Sequence, residues 1–413
     1  MRALLAGSEP AVGGSAEPAS PHGYKVAFVV FQAGAQADGG LNSISELIGQ
    51  VALADQVVVF TNVDSAFSGR WRDMGCEVVI LAMRESRFDD VGSGRGGRVG
   101  RMAARLANNR ILQRRLAAER FDVLHANDAR AFWSSIVAAR LTGTPVILNV
   151  RDALPPGITT APLRWRLAYA LCDRMLVLSR DMERYWRDLL GLKSAGKLGH
   201  LYSIVQPDAP VPDVAARRRE RATLGLADDV YVISHVASFH PKKRQAEFLE
   251  RAAGPILARI PDAQIVFVGD CEPTSNPAAA RAVEAAKTLD AGDRIRFAGF
   301  TPEPWRWYVA SDLIVLASER EGLPRCLIAA LCYGAPFASF AVSAAHELAD
   351  LSGAASVAPL GDHAALVEAI VDRRALQAGD APLRSQRACA ARARFDADTA
   401  RTGYLALLDD LTS

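Results

Sequence analysis

Cysteine is scarce and unpaired here: six residues in 413 (Cys76, Cys172, Cys271, Cys326, Cys332, Cys389), with no Cys-x-x-Cys spacing. That pattern excludes a disulfide framework and predicts reduced core thiols in a cytosolic protein. The seven histidines are dispersed, so no metal-ligand cluster is expected. Charge of one sign is also lacking, since 48 basic residues oppose 46 acidic ones for a net of +2. Nucleic acid is therefore not expected as the partner. Only one apolar run approaches the span of a bilayer, the twenty uncharged residues Cys326–Ala345. Gly334 and Pro336 interrupt it, which predicts a helix, a turn and a strand within a core and no transmembrane segment. Residues 1–23, rich in Ala, Gly, Ser and Pro, read as a disordered tail. The apolar stretch Ala3–Ala6 is too short for the core of a secretory signal.

What is present is a long chain with half its residues apolar, enough for two domains with separate cores. After the tail, strand and helix patterns alternate twice. Strands are predicted at Tyr24–Phe31, Gln56–Phe60, Cys76–Leu81, Phe121–His125, Pro145–Val150 and Arg174–Leu178, with helices such as Ala131–Leu141 and Arg180–Leu190 between them. Residues 206–213 hold three prolines and suit a linker. A second series follows, with strands at Val230–Val236, Gln264–Gly269 and Ile295–Ala298. Strands joined by helices imply parallel sheets covered on both faces. The expected fold class is α/β, two Rossmann-like domains facing each other across a cleft. The expected divisions are 24–207, 208–393 and a C-terminal helix in 394–413.

The most informative stretch is 311–347. An apolar strand, Leu313–Ala317, leads into the polar loop Ser318–Pro324, then a helix Arg325–Tyr333 that Gly334-Ala335-Pro336 ends before a strand at Phe337–Ala341. In a strand–loop–helix unit the unpaired amides of the helix start attract anions. A carboxylate there, Glu321, cannot bind phosphate but accepts hydrogen bonds from sugar hydroxyls. A phosphate cradle beside a hydroxyl reader suits a sugar nucleotide.

This segment resembles the donor-site signature of retaining GT-B glycosyltransferases (the family 4-like, group 1 type). Glu321-Gly322-Leu323-Pro324, Gly334-Ala335-Pro336 and Glu347 match the pattern, while Ala329 stands where the family has a second glutamate. By the same resemblance, Ser238 to Arg244 corresponds to an element whose Arg and Lys neutralise the donor diphosphate. Lys243 takes the lysine position, Ser238 replaces the arginine and Arg244 the glycine. Gly39-Gly40, after the first strand, corresponds to the family's first-domain glycine loop near the donor phosphate. The loop after that first strand lacks the Gly-x-Gly-x-x-Gly spacing of nicotinamide enzymes.

His125, Asn127 and Asp128 end a predicted strand at the cleft edge, where the family places residues that touch donor sugar or acceptor. A strand-end histidine equally serves to cap its own sheet. Arg151-Asp152 follows the next strand and suits an acceptor hydroxyl or phosphate, or a local ion pair. Residues 84–120 hold ten arginines against four acids. That basic amphipathic stretch suits an anionic membrane surface or a lipid diphosphate, or is a solvated helix. Gly92–Gly100 within it reads as a loop.

The resemblance implies a metal-independent, cytoplasmic or peripheral-membrane enzyme that needs no cofactor. It would move a hexosyl group from a nucleotide diphosphate sugar, its co-substrate, to a hydroxyl on a glycan, a lipid-linked carrier or a small molecule. In that picture Glu321, Lys243 and His125 carry the reaction. Gly39, Gly40, Ser238, Lys243, Arg244, Glu321, Gly322, Leu323 and Pro324 bind the donor, and Asn127, Asp128, Arg151 and Asp152 face the acceptor. Two alternatives remain: another reaction on the same fold (an epimerase or a phosphorylase), or a degenerate member that binds without turnover.

Overall fold

The computed structural model describes residues 23–32, 39–81, 95–194, 196–205 and 207–413. The expected N-terminal tail, Ala37 and Asp38 of the glycine loop and the first part of the Arg-rich stretch lie outside them. The first domain has strands β1 (Lys25–Val29), β2 (Gln56–Thr61), β3 (Glu77–Ile80), β4 (Val123–Ala126), β5 (Val146–Asn149), β6 (Arg174–Val177) and β7 (Leu198–His200). They form one parallel sheet in the order β3-β2-β1-β4-β5-β6-β7. The second domain has β8 (Tyr231–Val236), β9 (Ala263–Val268), β10 (Ile295–Gly299), β11 (Leu313–Leu316), β12 (Phe337–Phe340) and β13 (Ala355–Ala358). Its parallel order is β10-β9-β8-β11-β12-β13. In both sheets the strand order reverses beside the domain's first strand, and ligands of such sheets collect at the strand carboxyl ends near that switch.

The apolar runs read as strands are buried on both faces, as in β1, where Val26 to Val29 are inaccessible. Sequence reading passes over β7 and β13. Each has three or four residues, and Gly199 and His200 dilute the apolar signal of β7. Gly96 to Gly100, read as loop, belong instead to the helix Arg95–Glu119. Helix Arg180–Leu190 begins where Ser179 accepts a hydrogen bond from the Met182 amide, and it ends at Gly191 in the left-handed region. Residues 207–213 carry no regular structure and lead to the helix Val214–Thr223, capped by Asp213.

The last helix, Ala397–Thr412, returns to the first domain. Its Tyr404 and Leu408 are fully buried in the apolar cluster of Phe28, Val123 and Ile147. Arg174 pairs with Asp410 and the Tyr24 hydroxyl donates to Asp409 on the same helix. No helix among the described residues is long and apolar enough to cross a membrane.

Candidate active site

Two loops of the second domain build the centre. After β8 the chain makes a 3-10 turn, Pro241–Lys243, in which His240 accepts a hydrogen bond from the Lys242 amide. Arg244 then takes a left-handed conformation at φ 55°, the region where glycine is at ease. This turn aims Lys243 at the loop after β11, and the two loops are tied by the Glu319 amide donating to the Lys242 carbonyl at 2.8 Å. Lys243 Nζ lies 2.5 Å from Glu321 Oε1, with the side chains only 15% and 7% exposed. Burial alone pushes Lys243 down, yet the Glu321 carboxylate outweighs it and holds the ammonium above its usual range. Burial likewise pushes Glu321 up, and the charges of Lys243 and then Lys242 hold the carboxyl below its ordinary value. Both groups are therefore charged at neutral pH. Among the described residues, the ammonium has no hydrogen-bond acceptor besides Glu321.

Behind the pair lies His235 of β8, buried and stacked on Phe267 with centroids 5.7 Å apart. Neither ring nitrogen has a partner among the described residues, and burial, then the Lys243 charge, pushes its pKa down to about 4. The imidazole is neutral, so Glu321 alone balances Lys243 from inside.

The seam with the first domain runs through Gly322. A Cβ on that residue would stand 1.9 Å from the Arg151 carbonyl oxygen, a distance no side chain survives. Leu323 is buried, and Pro324 precedes the helix Arg325–Cys332, whose start has no side-chain cap. The Leu327 amide donates to the Pro324 carbonyl at 2.9 Å, and a helix start without a side-chain cap attracts anions through the amides before it. Arg325 extends across the seam: Nη1 donates to the Ile204 carbonyl at 3.3 Å, and Cδ stands 3.9 Å from where a Gly39 Cβ would be. Gly39 and Gly40 open the helix Gly39–Ala52. From the first domain, Asp152 accepts from Lys242 Nζ at 3.4 Å, and Arg151 Nη1 donates to Asn127 Oδ1 at 3.4 Å. Farther along the seam, Glu347 accepts from the Asp181 amide at 3.2 Å and from the Tyr202 hydroxyl.

The structure thus gathers Lys243, Glu321, Gly322, Leu323, Pro324, Arg151, Asp152, Asn127 and, through Arg325, Gly39 along one seam. Other candidates stand apart. His125 is buried in the first-domain core, where it stacks on Phe28 and its Nδ1 lies 3.0 Å from the Tyr404 hydroxyl. Burial, then the Arg151 charge, lowers its pKa to about 3. Register puts His125 beside Phe28 on the face covered by the last helix, so its ring meets core rather than cleft. Asp128 caps the helix Ala129–Thr142 through the Ala131 amide and pairs with Arg130. Ser238 is exposed, and its carbonyl accepts from Gln245. The Arg244 guanidinium is shared by Glu247 and Glu319. Sequence reading used Arg325 only for its amide and passed over His235. The signal for Arg325 was present, a cation at the first position of the helix after Gly322-Leu323-Pro324.

Residues 230–373 match the family model "Glycosyl transferases group 1", and residues 66–208 match "Glycosyltransferase Family 4". One glycosyltransferase model thus falls on each domain, and the fold is GT-B. Among curated relatives, an uncharacterized glycosyltransferase of Haemophilus influenzae is 24% identical over 174 residues, 42% of this chain and 43% of its own length. The match therefore spans under half of that relative. Among solved structures, Anabaena Alr3699/HepE in complex with UDP superposes with a TM-score of 0.75 at 18% identity, covering 94% of this chain and all of the other. Sucrose-phosphate synthase from Thermosynechococcus elongatus gives the same TM-score and identity, over 94% and 99%. In this GT-B chain the Lys243–Glu321 pair sits where the two domains meet, at the carboxyl ends of β8 and β11.

Proposed function

We propose that this protein is a retaining glycosyltransferase that moves a hexosyl group from a nucleoside diphosphate sugar to a hydroxyl acceptor without a metal. The observation that carries the reading is the buried Lys243–Glu321 pair beside an uncapped helix start at the domain seam. The pair supplies a cation for a diphosphate and a carboxylate for sugar hydroxyls, within a few ångströms of each other. The Anabaena structures in complex with UDP and with UDP-glucose support a uridine nucleotide as the first donor to test.

In the reaction, the bond from the sugar's anomeric carbon to the diphosphate oxygen breaks while a bond to the acceptor oxygen forms on the same face. The acceptor proton passes to the departing phosphate oxygen. Lys243, the Arg325 guanidinium and the amides of the helix start stabilise the charge that builds there, a large effect where water is excluded. Ser238 leaves the family's arginine position without a cation, and Arg325 reaches toward Gly39 from the other wall. Glu321 orients the sugar, Gly39 and Gly40 close the phosphate side, and Arg151 and Asp152 line the acceptor side. His125 holds the first-domain sheet to the last helix and does not touch substrate.

A thermal-shift titration with UDP, GDP, ADP and their common sugar conjugates tests the donor site, because a ligand that binds only the folded state raises apparent stability. One base is expected to shift the transition. That conjugate then enters a transfer assay with and without a chelator, with NMR reading the anomeric configuration of the product. Absence of any shift in folded protein would favour the second reading, a binding protein without turnover. Ala329 and the exposed Ser238 are the observations on its side.

A further inference from the structure

A small pocket of the first domain lies outside the donor machinery. It sits between the first half of the helix Gly39–Ala52, the ends of β5 and β6, and the segment 201–204 that leaves β7. Three of its residues reach the seam. The Arg151 carbonyl stands against Gly322, the Ile204 carbonyl accepts from Arg325, and the Tyr202 hydroxyl donates to Glu347. The pocket therefore adjoins the donor loops while belonging to the domain that faces them.

Its walls are mostly apolar, built by Ile44, Leu47, Leu176, Leu178 and Leu201. The free space is about 20 Å³, room for one small group and not for a sugar ring. Into this lining the chain sets one polar atom with nothing to bind. Asn149, the last residue of β5, is 2% exposed, and its Oδ1 has no hydrogen-bond partner among the described residues. The neighbouring hydroxyls, Ser43 and Ser203, are engaged with each other at 2.8 Å. A buried acceptor left unpaired costs stability, and a leucine of similar size would remove that cost. An ordered water would need about three polar partners, which the leucine walls do not supply.

An occupant must therefore bring one donor for Asn149 and an apolar surface for the walls. A hydroxyl meets the first demand but is stranded among leucines. A deoxy-sugar methyl meets the second but leaves Oδ1 unpaired. An acetamido group meets both, because in a trans amide the N–H and the acetyl methyl lie on the same side of the C–N bond.

We propose that this pocket reads the acetamido group of an N-acetylated sugar acceptor, an assignment that rests on the transferase reading above. The N–H donates to Asn149 Oδ1, and the methyl sits among Leu47, Leu176 and Leu201.

Saturation-transfer NMR on the full chain tests it. The ligands are methyl glycosides of N-acetylglucosamine, N-acetylgalactosamine and N-acetylmannosamine, each beside the parent hexoside with a hydroxyl in place of the acetamido group. A UDP thermal shift on the same samples reports the donor site separately. At least one acetamido glycoside is expected to bind about tenfold more tightly than its parent, with the acetyl methyl receiving the strongest saturation. Asn149→Leu is expected to keep or raise thermal stability and to remove most of that preference. A preference that survives Asn149→Leu would overturn the proposal, as would three acetamido glycosides that bind no better than their parents. Lower stability in Asn149→Leu would reveal a structural amide and overturn it too. A UDP shift without acetamido preference would sink this pocket and spare the donor site. An Asn149-dependent preference without any nucleotide shift would do the reverse.

Discussion

The second domain contains two buried ionic clusters, one at each end of its sheet, and they differ in saturation. At the amino ends of the strands, Asp312 accepts from Arg217 at 2.5 Å, Arg221 at 2.7 Å, the Val232 amide at 2.8 Å and Gln377. Arg221 in turn reaches the carbonyls of Ala310, Ala227, Asp228 and Val230 as well as Asp312, so all five of its donors are engaged. At the carboxyl ends, Lys243 spends one contact on Glu321 and keeps two ammonium protons uncommitted among the described residues. A cluster that only holds a fold together is filled by its own chain. The Lys243–Glu321 pair is charged, buried and underfilled, which is what the proposed donor site requires.

The largest expected effect comes from emptying the saturated cluster. Arg221→Met removes one of the two guanidiniums that hold buried Asp312 and unpairs the carbonyls of Ala310, Ala227, Asp228 and Val230, and should cost ~3–5 kcal/mol in chemical denaturation. The folded fraction should still bind nucleotide normally. If nucleotide affinity fell as much as stability, the two ends would not be separable.

Next is Lys243→Met, expected to weaken nucleoside diphosphate binding ~100-fold by calorimetry, in line with ~1.5–3 kcal/mol for a hydrogen bond to a charged group. Adding Glu321→Gln should recover stability without recovering binding. A double variant that regains affinity would show the pair to be structural after all.

Acid should act through the two buried imidazoles. His125 and His235 are held neutral, with pKa values down at about 3 and about 4. The unfolded chain therefore takes up protons first, and stability present above the ordinary histidine value is lost as pH falls from there toward pH 4. Each histidine contributes ~1.4 kcal/mol per pH unit in that window. His235→Leu, which removes two unpartnered nitrogens, should flatten the denaturation slope by one proton. An unchanged slope would mean that His235 already finds a proton acceptor in the folded state.

The smallest effect should follow Ala329→Glu. If Ala329 lies at the ribose position, nucleotide affinity should rise by up to ~10-fold, or ~1.4 kcal/mol. No gain would remove this helix face from the ribose site.

The alternation of strands and helices was legible because parallel strands buried on both faces are nearly unbroken apolar runs, and their caps and turn glycines lie close by in sequence. The Ser318–Pro324 loop was legible for the same reason, since its geometry depends on neighbours. His125 was not. Whether a strand-end side chain meets cleft or core depends on sheet register and on Tyr404, 279 positions away in the chain. The role of Arg325 was hidden likewise, because Ile204 and Gly39 approach it only when the two domains come together.

Gly322 sets how near the two halves of the molecule can come. Its hydrogen faces the Arg151 carbonyl where any other residue would present a methyl group. The domains therefore seat main chain on main chain, and the seating distance does not depend on the identity of nearby side chains. Side chains at the first-domain edge of the seam, such as Asn127, Arg151 and Asp152, can therefore change without moving the loop after β11.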